Sequence, residues 1–257
     1  MRQDTGQSLD SGSGSLWHTR WTEIRAARTF DAERRREALG RIMGRYWRPL
    51  YVYLHRRGRN DGEAEDLVQG FITEVVLERG RLIQEADPGR GKFRTFLLTA
   101  LDNYVRDVHE KRMAKKRRPA EGVASLDAFE APPPVPAADA TPEEAFTYAW
   151  ASGIVDDVLA DVEAQCRQAR QEKHWEVFRR TVVEPALFGA EAPSMQQLCD
   201  ELGIAAPKKA AAMNVVVKRR FQRVMRMHVR QFVARDEDVD GEIGELTAIL
   251  SRNPIGK

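Results

Sequence analysis

The chain has 257 residues, enough for one large hydrophobic core or two small ones. Apolar residues make up 42% and charged residues 31%, and no apolar run approaches the roughly 20 residues that span a bilayer, which argues against a membrane protein. The formal net charge of +2 hides a segregated distribution: seven Lys/Arg stand against two acids from Arg106 to Arg118, and eight stand against none from Lys208 to Arg230. Two basic stretches in a near-neutral chain point to two contacts with a polyanion.

Cys166 and Cys199 make no CxxC, and the five histidines (His18, His55, His109, His174, His228) do not cluster, so no zinc spacing is present and no cofactor is expected. With no apolar signal core at the N-terminus, the expectation is a reduced, cytoplasmic protein that stays off the membrane.

Residues 1–15 are polar and Gly/Ser-rich and read as a disordered tail. Residues 16–118 form a first helical block. Ala38, Leu39, Ile42, Met43, Tyr46, Leu50, Tyr53 and Leu54 recur at helical spacing, with Pro49 predicting a kink or a break near Arg45 and Gly58 ending the helix. In DGEAEDLVQGFITEVV, Leu67, Val68, Phe71, Ile72 and Val75 make an apolar stripe, while Asp66, Gln69 and Thr73 share the opposite face. A further helix begins near Phe93. Its side carrying Phe93, Leu97, Ala100, Leu101, Tyr104 and Val108 is apolar; the other carries Thr95, Thr99, Asp102, Asn103, Arg106 and His109 and runs into KRMAKKRR. With Phe96 at its margin, that second face combines aromatic, amide and cation, which suits unstacked single-stranded bases better than intact duplex. A solvated helix end would show the same basic run.

Residues 119–142 contain six prolines and read as a linker that cannot stay helical. A second helical block spans 143–235, with Trp150, Ile154, Val158, Val162, Trp175, Val177, Phe178 and Val182 as expected core. Within it Ser194 caps a short helix (Met195, Leu198, Leu202), Gly203 makes a turn backed by Ile204, and a basic helix starts near Pro207. Short helix, glycine turn and basic helix form a helix-turn-helix pattern, whose second helix offers Lys208, Lys209, Asn214, Lys218 and Arg219 to phosphates and base edges. Arg220, Arg223 and Arg226 are expected to face DNA backbone or solvent. Residues 236–257 form an acidic tail, which either folds over the basic helix or packs Ile243, Leu246 and Ile249 onto the domain. The expected architecture is all-α, two helical domains joined by a Pro-rich linker.

YWRPLYVYLHRRG, EAEDLVQGF and FRTFLLTALDNYVRDVHEKRMAKKRR together resemble the first conserved domain of the sigma-70 family of sigma factors, most closely the extracytoplasmic-function (ECF) branch. RYWRPLYVY and GKFRTFLL resemble the planctomycete-like variant. MQQLCDELGI and VVVKRRFQRVMR are similar to the helix-turn-helix with which sigma factors read the −35 element. The resemblance implies that core RNA polymerase docks on Asp66, Gln69 and Thr73; Phe71 matches the same motif, but its place on the apolar stripe assigns it to the core. It implies that the melted −10 strand is held by Phe96, Asn103, Arg106 and Asp107 with Lys111, Arg112, Lys115 and Lys116. Promoter DNA and core polymerase are the implied partners, an anti-sigma factor a further candidate. Phe96 replaces a tryptophan common in that family, and Glu110 displaces an arginine.

A helix-turn-helix regulator that never meets polymerase would explain the second block but leaves the Asp66/Gln69 and Asn103 faces without a purpose. An enzyme is not expected: there is no P-loop, nucleophile elbow or HExxH, and GRGKF at 89–93 lacks phosphate-loop spacing.

Overall fold

The structure is a computed structural model that describes residues 24, 27–29, 31–78, 80–87, 90–115, 140–231, 233 and 235–252. The expected tail at 1–15 lies outside them, as does the expected linker up to residue 139. The fold is all-α, with no strand among the described residues.

Helix α1 (Ala32–Arg56) opens on Asp31, whose carboxylate accepts from the amides of Glu33 and Arg34. The break that Pro49 could cause does not occur. The helix runs unbroken through it, and Pro49 is buried among Tyr46, Leu50 and Tyr53. The lost backbone hydrogen bond is offset by apolar and aromatic burial on both sides of the proline. Gly58, at φ 80°, then turns the chain.

Helix α2 (Asp61–Gly70) is capped by Asn60 and passes directly into a π-helical stretch, Phe71–Glu78. A short α3 (Arg81–Glu85) follows, and α4 (Phe93–Lys115) begins where the apolar repeat places it. Leu97 and Leu101 are fully buried, with Phe93 and Tyr104 nearly so. At Gly70 helix α2 comes up against α4: a Cβ there would overlap the Tyr104 hydroxyl.

The second block begins with α5 (Pro142–Gln168), started by a capping box in which Thr141 and Glu144 bond each other's backbone amides. Next come α6 (Glu172–Phe178), a π-helical turn (Arg179–Val183) and α7 (Glu184–Phe188). Helix α8 (Met195–Leu202) has Ser194 as cap, paired reciprocally with Gln197, and ends at Gly203 with φ 61°. Helix α9 (Pro207–Arg230) starts on its proline. The tail is helical as well: α10 (Val239–Arg252) follows a 3-10 turn at Asp236–Asp238.

The two blocks pack on each other. Helix α5 lies along α1, and one buried core runs through α1, α2, α4, α5, α9 and α10. Phe146 of α5 stacks on Tyr46 at 6.5 Å between centroids and meets Tyr53 edge-on at 6.5 Å. Trp150, Ile154, Val158 and Val162 continue that buried line. A smaller cluster of Val177, Leu198, Cys199, Ile204, Ala210 and Met213 fixes α8 against α6 and α9.

Helix α10 closes the assembly by packing on α5 and α9. Leu246 is buried and Ile243 and Ile249 lean on the core, so the tail packs through the residues expected of an amphipathic end. It also reaches the first block through charge. Glu242, only 6% exposed, binds Arg94 of α4 (Nη1–Oε1 2.5 Å) and Lys92 (2.9 Å). Glu245 also meets Arg94, at 3.3 Å, and the Arg94 guanidinium lies 4.4 Å from the Trp150 ring centre.

Candidate nucleic-acid and partner interface

Helix α2 and its π-helical extension bury Ala64, Leu67, Val68, Phe71 and Val76. The opposite side carries Asp66, Gln69 and Thr73, all exposed, so the three share one outward face as the periodicity requires. Leu77, at 38% exposure, extends this face with an apolar group that the stripe pattern did not single out. Phe71 is fully buried.

Helix α4 presents its polar side to a cleft of about 360 Å³ whose walls are α3 and the π-helical stretch. Phe96, Thr99, Asn103 and Asp107 line it from α4, with Val75, Leu82 and Glu85 opposite. A second hollow continues along Arg90, Lys92, Thr95 and Phe96 and shares Glu85, Phe96 and Thr99 with the first. Three predicted residues, Phe96, Asn103 and Asp107, therefore meet in one concavity with an aromatic, an amide and a carboxylate on its walls. Arg106 donates to the Asn103 carbonyl at 3.2 Å, which orients the amide. Lys111 and Arg112 are exposed further along the helix, Lys115 ends it, and Lys116 lies outside the described residues.

Asp102 shares the polar side of α4 yet turns toward α1. The Tyr53 hydroxyl donates to both its carboxylate oxygens, at 3.0 and 3.1 Å, and Arg57 pairs with it. Burial, and then Asp102, push the Tyr53 phenol up to about 12. This cluster ties α4 to α1 rather than facing a ligand.

On α9, Lys208, Lys209, Lys218 and Arg219 are exposed. Asn214 points elsewhere: half-buried, it donates to the Thr181 hydroxyl at 3.1 Å and so helps hold α9 to the π-helical turn. Arg220 also differs from expectation. It reaches inward to the Cys166 sulfur and the Gln171 carbonyl, both at 2.8 Å, and burial raises the Cys166 thiol pKa. Arg226 pairs with Asp240 and Arg230 with Asp236, so the tail neutralises the C-terminal end of the basic helix, and among the described residues none of its carboxylates pairs with Lys208, Lys209, Lys218 or Arg219.

Among the described residues no group of His, Cys, Asp or Glu could hold a metal, and no helix is long and apolar enough to cross a membrane. What the arrangement offers is a cleft with stacking and hydrogen-bonding groups, a cationic helix leading away from it, and a second basic helix.

Residues 42–117 match the family model of Sigma-70 region 2. The match covers α1 from Ile42 through α4 and its basic end, the part that carries the exposed α2 face and the cleft. Region 2 supports a sigma-70 family factor, with a role in promoter recognition alongside RNA polymerase. No curated protein and no solved structure matches the chain. The second block thus stands outside region 2 and rests on its own geometry.

Proposed function

We propose that the chain is an RNA polymerase sigma factor of the ECF type, in its planctomycete-like form, directing promoter recognition and DNA opening. The observation that carries this reading is the α4 cleft inside region 2, where Phe96, Asn103 and Asp107 converge. A base turned out of the duplex would stack on Phe96 and bond the Asn103 amide, while Arg106, Lys111, Arg112, Lys115 and Lys116 take the strand's phosphates. Capture of that kind offsets an unstacking cost of a few kcal/mol per step, so opening follows from binding without any catalytic group. The outward face of α2, with Asp66, Gln69 and Thr73, is the docking surface for core polymerase. The α8–α9 pair acts as a helix-turn-helix for the −35 duplex through Lys208, Lys209, Lys218 and Arg219, with Asn214 serving to position the helix.

Reconstitution with core polymerase tests this reading. A promoter-dependent transcript is expected, lost on Asp66→Ala/Gln69→Ala through weaker polymerase capture and on Asn103→Ala through weaker opening. Copurification without polymerase, with duplex binding intact, would leave a DNA-binding regulator instead.

A further inference from the structure

Helix α9 distributes its valines unevenly. Val217, Val224 and Val229 are fully buried, whereas Val215 and Val216 remain 48% and 42% exposed. At about 100° per residue, Lys208, Ala212, Val215 and Arg219 form one ridge, with Ala211 beside it. All five are exposed, while Ala210, Met213 and Val217 on the opposite side pack into the core. A methyl-rich patch thus sits one to two turns into the helix, bracketed by Lys208 and Lys209 before it and by Lys218 and Arg219 after it. None of these four cations meets a carboxylate among the described residues, where the tail's ion pairs with the helix fall at its far end, on Arg226 and Arg230.

An apolar strip framed by unneutralised cations fits a polyanion that displays apolar groups between its charges. The major groove does this at thymine, whose C5-methyl is the one apolar group on a base edge and is met by small apolar side chains. We propose that α9 reads thymine methyls: Val215, with Ala211 and Ala212 one turn earlier, contacts C5-methyl groups, while the flanking lysines and Arg219 hold phosphates or guanine edges. The preferred duplex site then contains thymines at its centre. This inference rests on the reading of α8–α9 as a duplex-binding unit.

The test uses the full chain, a duplex site selected from a random pool, and replacement of each thymine by uracil in turn. That exchange deletes one methyl and leaves pairing and phosphates unchanged. A contacted methyl is worth about four-fold in affinity. The expected result is such a loss at one or more central positions, with the loss diminished in Val215→Ala, an exposed substitution that leaves the core untouched. Sequence-specific binding that is indifferent to uracil at every position overturns the methyl reading and leaves the duplex-binding unit standing. Absence of any sequence-specific duplex binding, with and without core polymerase, overturns both.

Discussion

Replacing Glu242 by alanine leaves the Arg94 guanidinium in place but takes away its closest counter-charge. The Arg94 side chain is 10% exposed and Glu242 is 6% exposed, so water cannot substitute for the missing carboxylate. Removing one member of a buried ion pair costs about 3–5 kcal/mol. Here the lower end applies, because Glu245 still reaches Arg94 at 3.3 Å and the Trp150 ring still faces it. For a chain of this size a loss of about 3 kcal/mol lowers Tm by roughly 6–12 °C. Exchanging both members for apolar residues, as in Arg94→Met/Glu242→Leu, should restore most of the loss, since desolvation of the pair disappears together with its attraction. A double-mutant cycle by urea denaturation measures the coupling. A loss under about 1 kcal/mol in Glu242→Ala, or simple additivity, would refute the argument that the pair is buried and mutually dependent.

Gly70→Ala should destabilise the chain by about 1–3 kcal/mol through overlap with the Tyr104 hydroxyl, and Tyr104→Phe in the same chain should recover part of it in chemical denaturation. Tyr51 and Tyr53 both titrate at about 12, raised first by burial and then by Asp61 and Asp102 respectively. A folded pKa above the ordinary value of about 10 means that their stabilising contribution is complete below pH ~10 and is lost as pH rises toward 12. Phenolate absorbance should therefore appear together with unfolding, and Tyr53→Phe should flatten that alkaline limb. Neutralising any one of Lys208, Lys209, Lys218 or Arg219 that contacts a phosphate should reduce the slope of log affinity against log salt by about 0.9, as read from duplex binding over a salt series.

The local elements were legible because their signals are local. Ser194, Gly203 and Pro207 cap, turn and start helices by their own backbone chemistry, and each does so in the structure. Phe93, Leu97, Leu101 and Tyr104 bury as their period demands, while Ala100 of the same stripe is only partly buried and lines the cleft. Of the two outcomes that Pro49 allows, the break does not form: Tyr46, Leu50 and Tyr53 are buried around it, and Tyr46 and Tyr53 meet Phe146 of α5, a contact the local pattern of α1 does not contain. Composition marked Asn214 and Arg220 as polar groups on a basic helix, but their orientation depends on Thr181, Cys166 and Gln171, which the pattern of α9 does not contain. The largest omission was the contact between Arg94 and Glu242, separated by 148 residues. An acidic tail and an arginine at the start of a helix are visible in the sequence; that they meet is a fact of packing.

Lys92 stands in two places at once. It lines the hollow that adjoins the α4 cleft, and it binds Glu242 of the closing helix at 2.9 Å. An ammonium group shared in this way makes rivals of its neighbours: a phosphate settling in the hollow and a carboxylate arriving from the far end of the chain draw on the same charge. Whatever factor the tail subtracts from anion binding there, the anion subtracts from the hold of the tail.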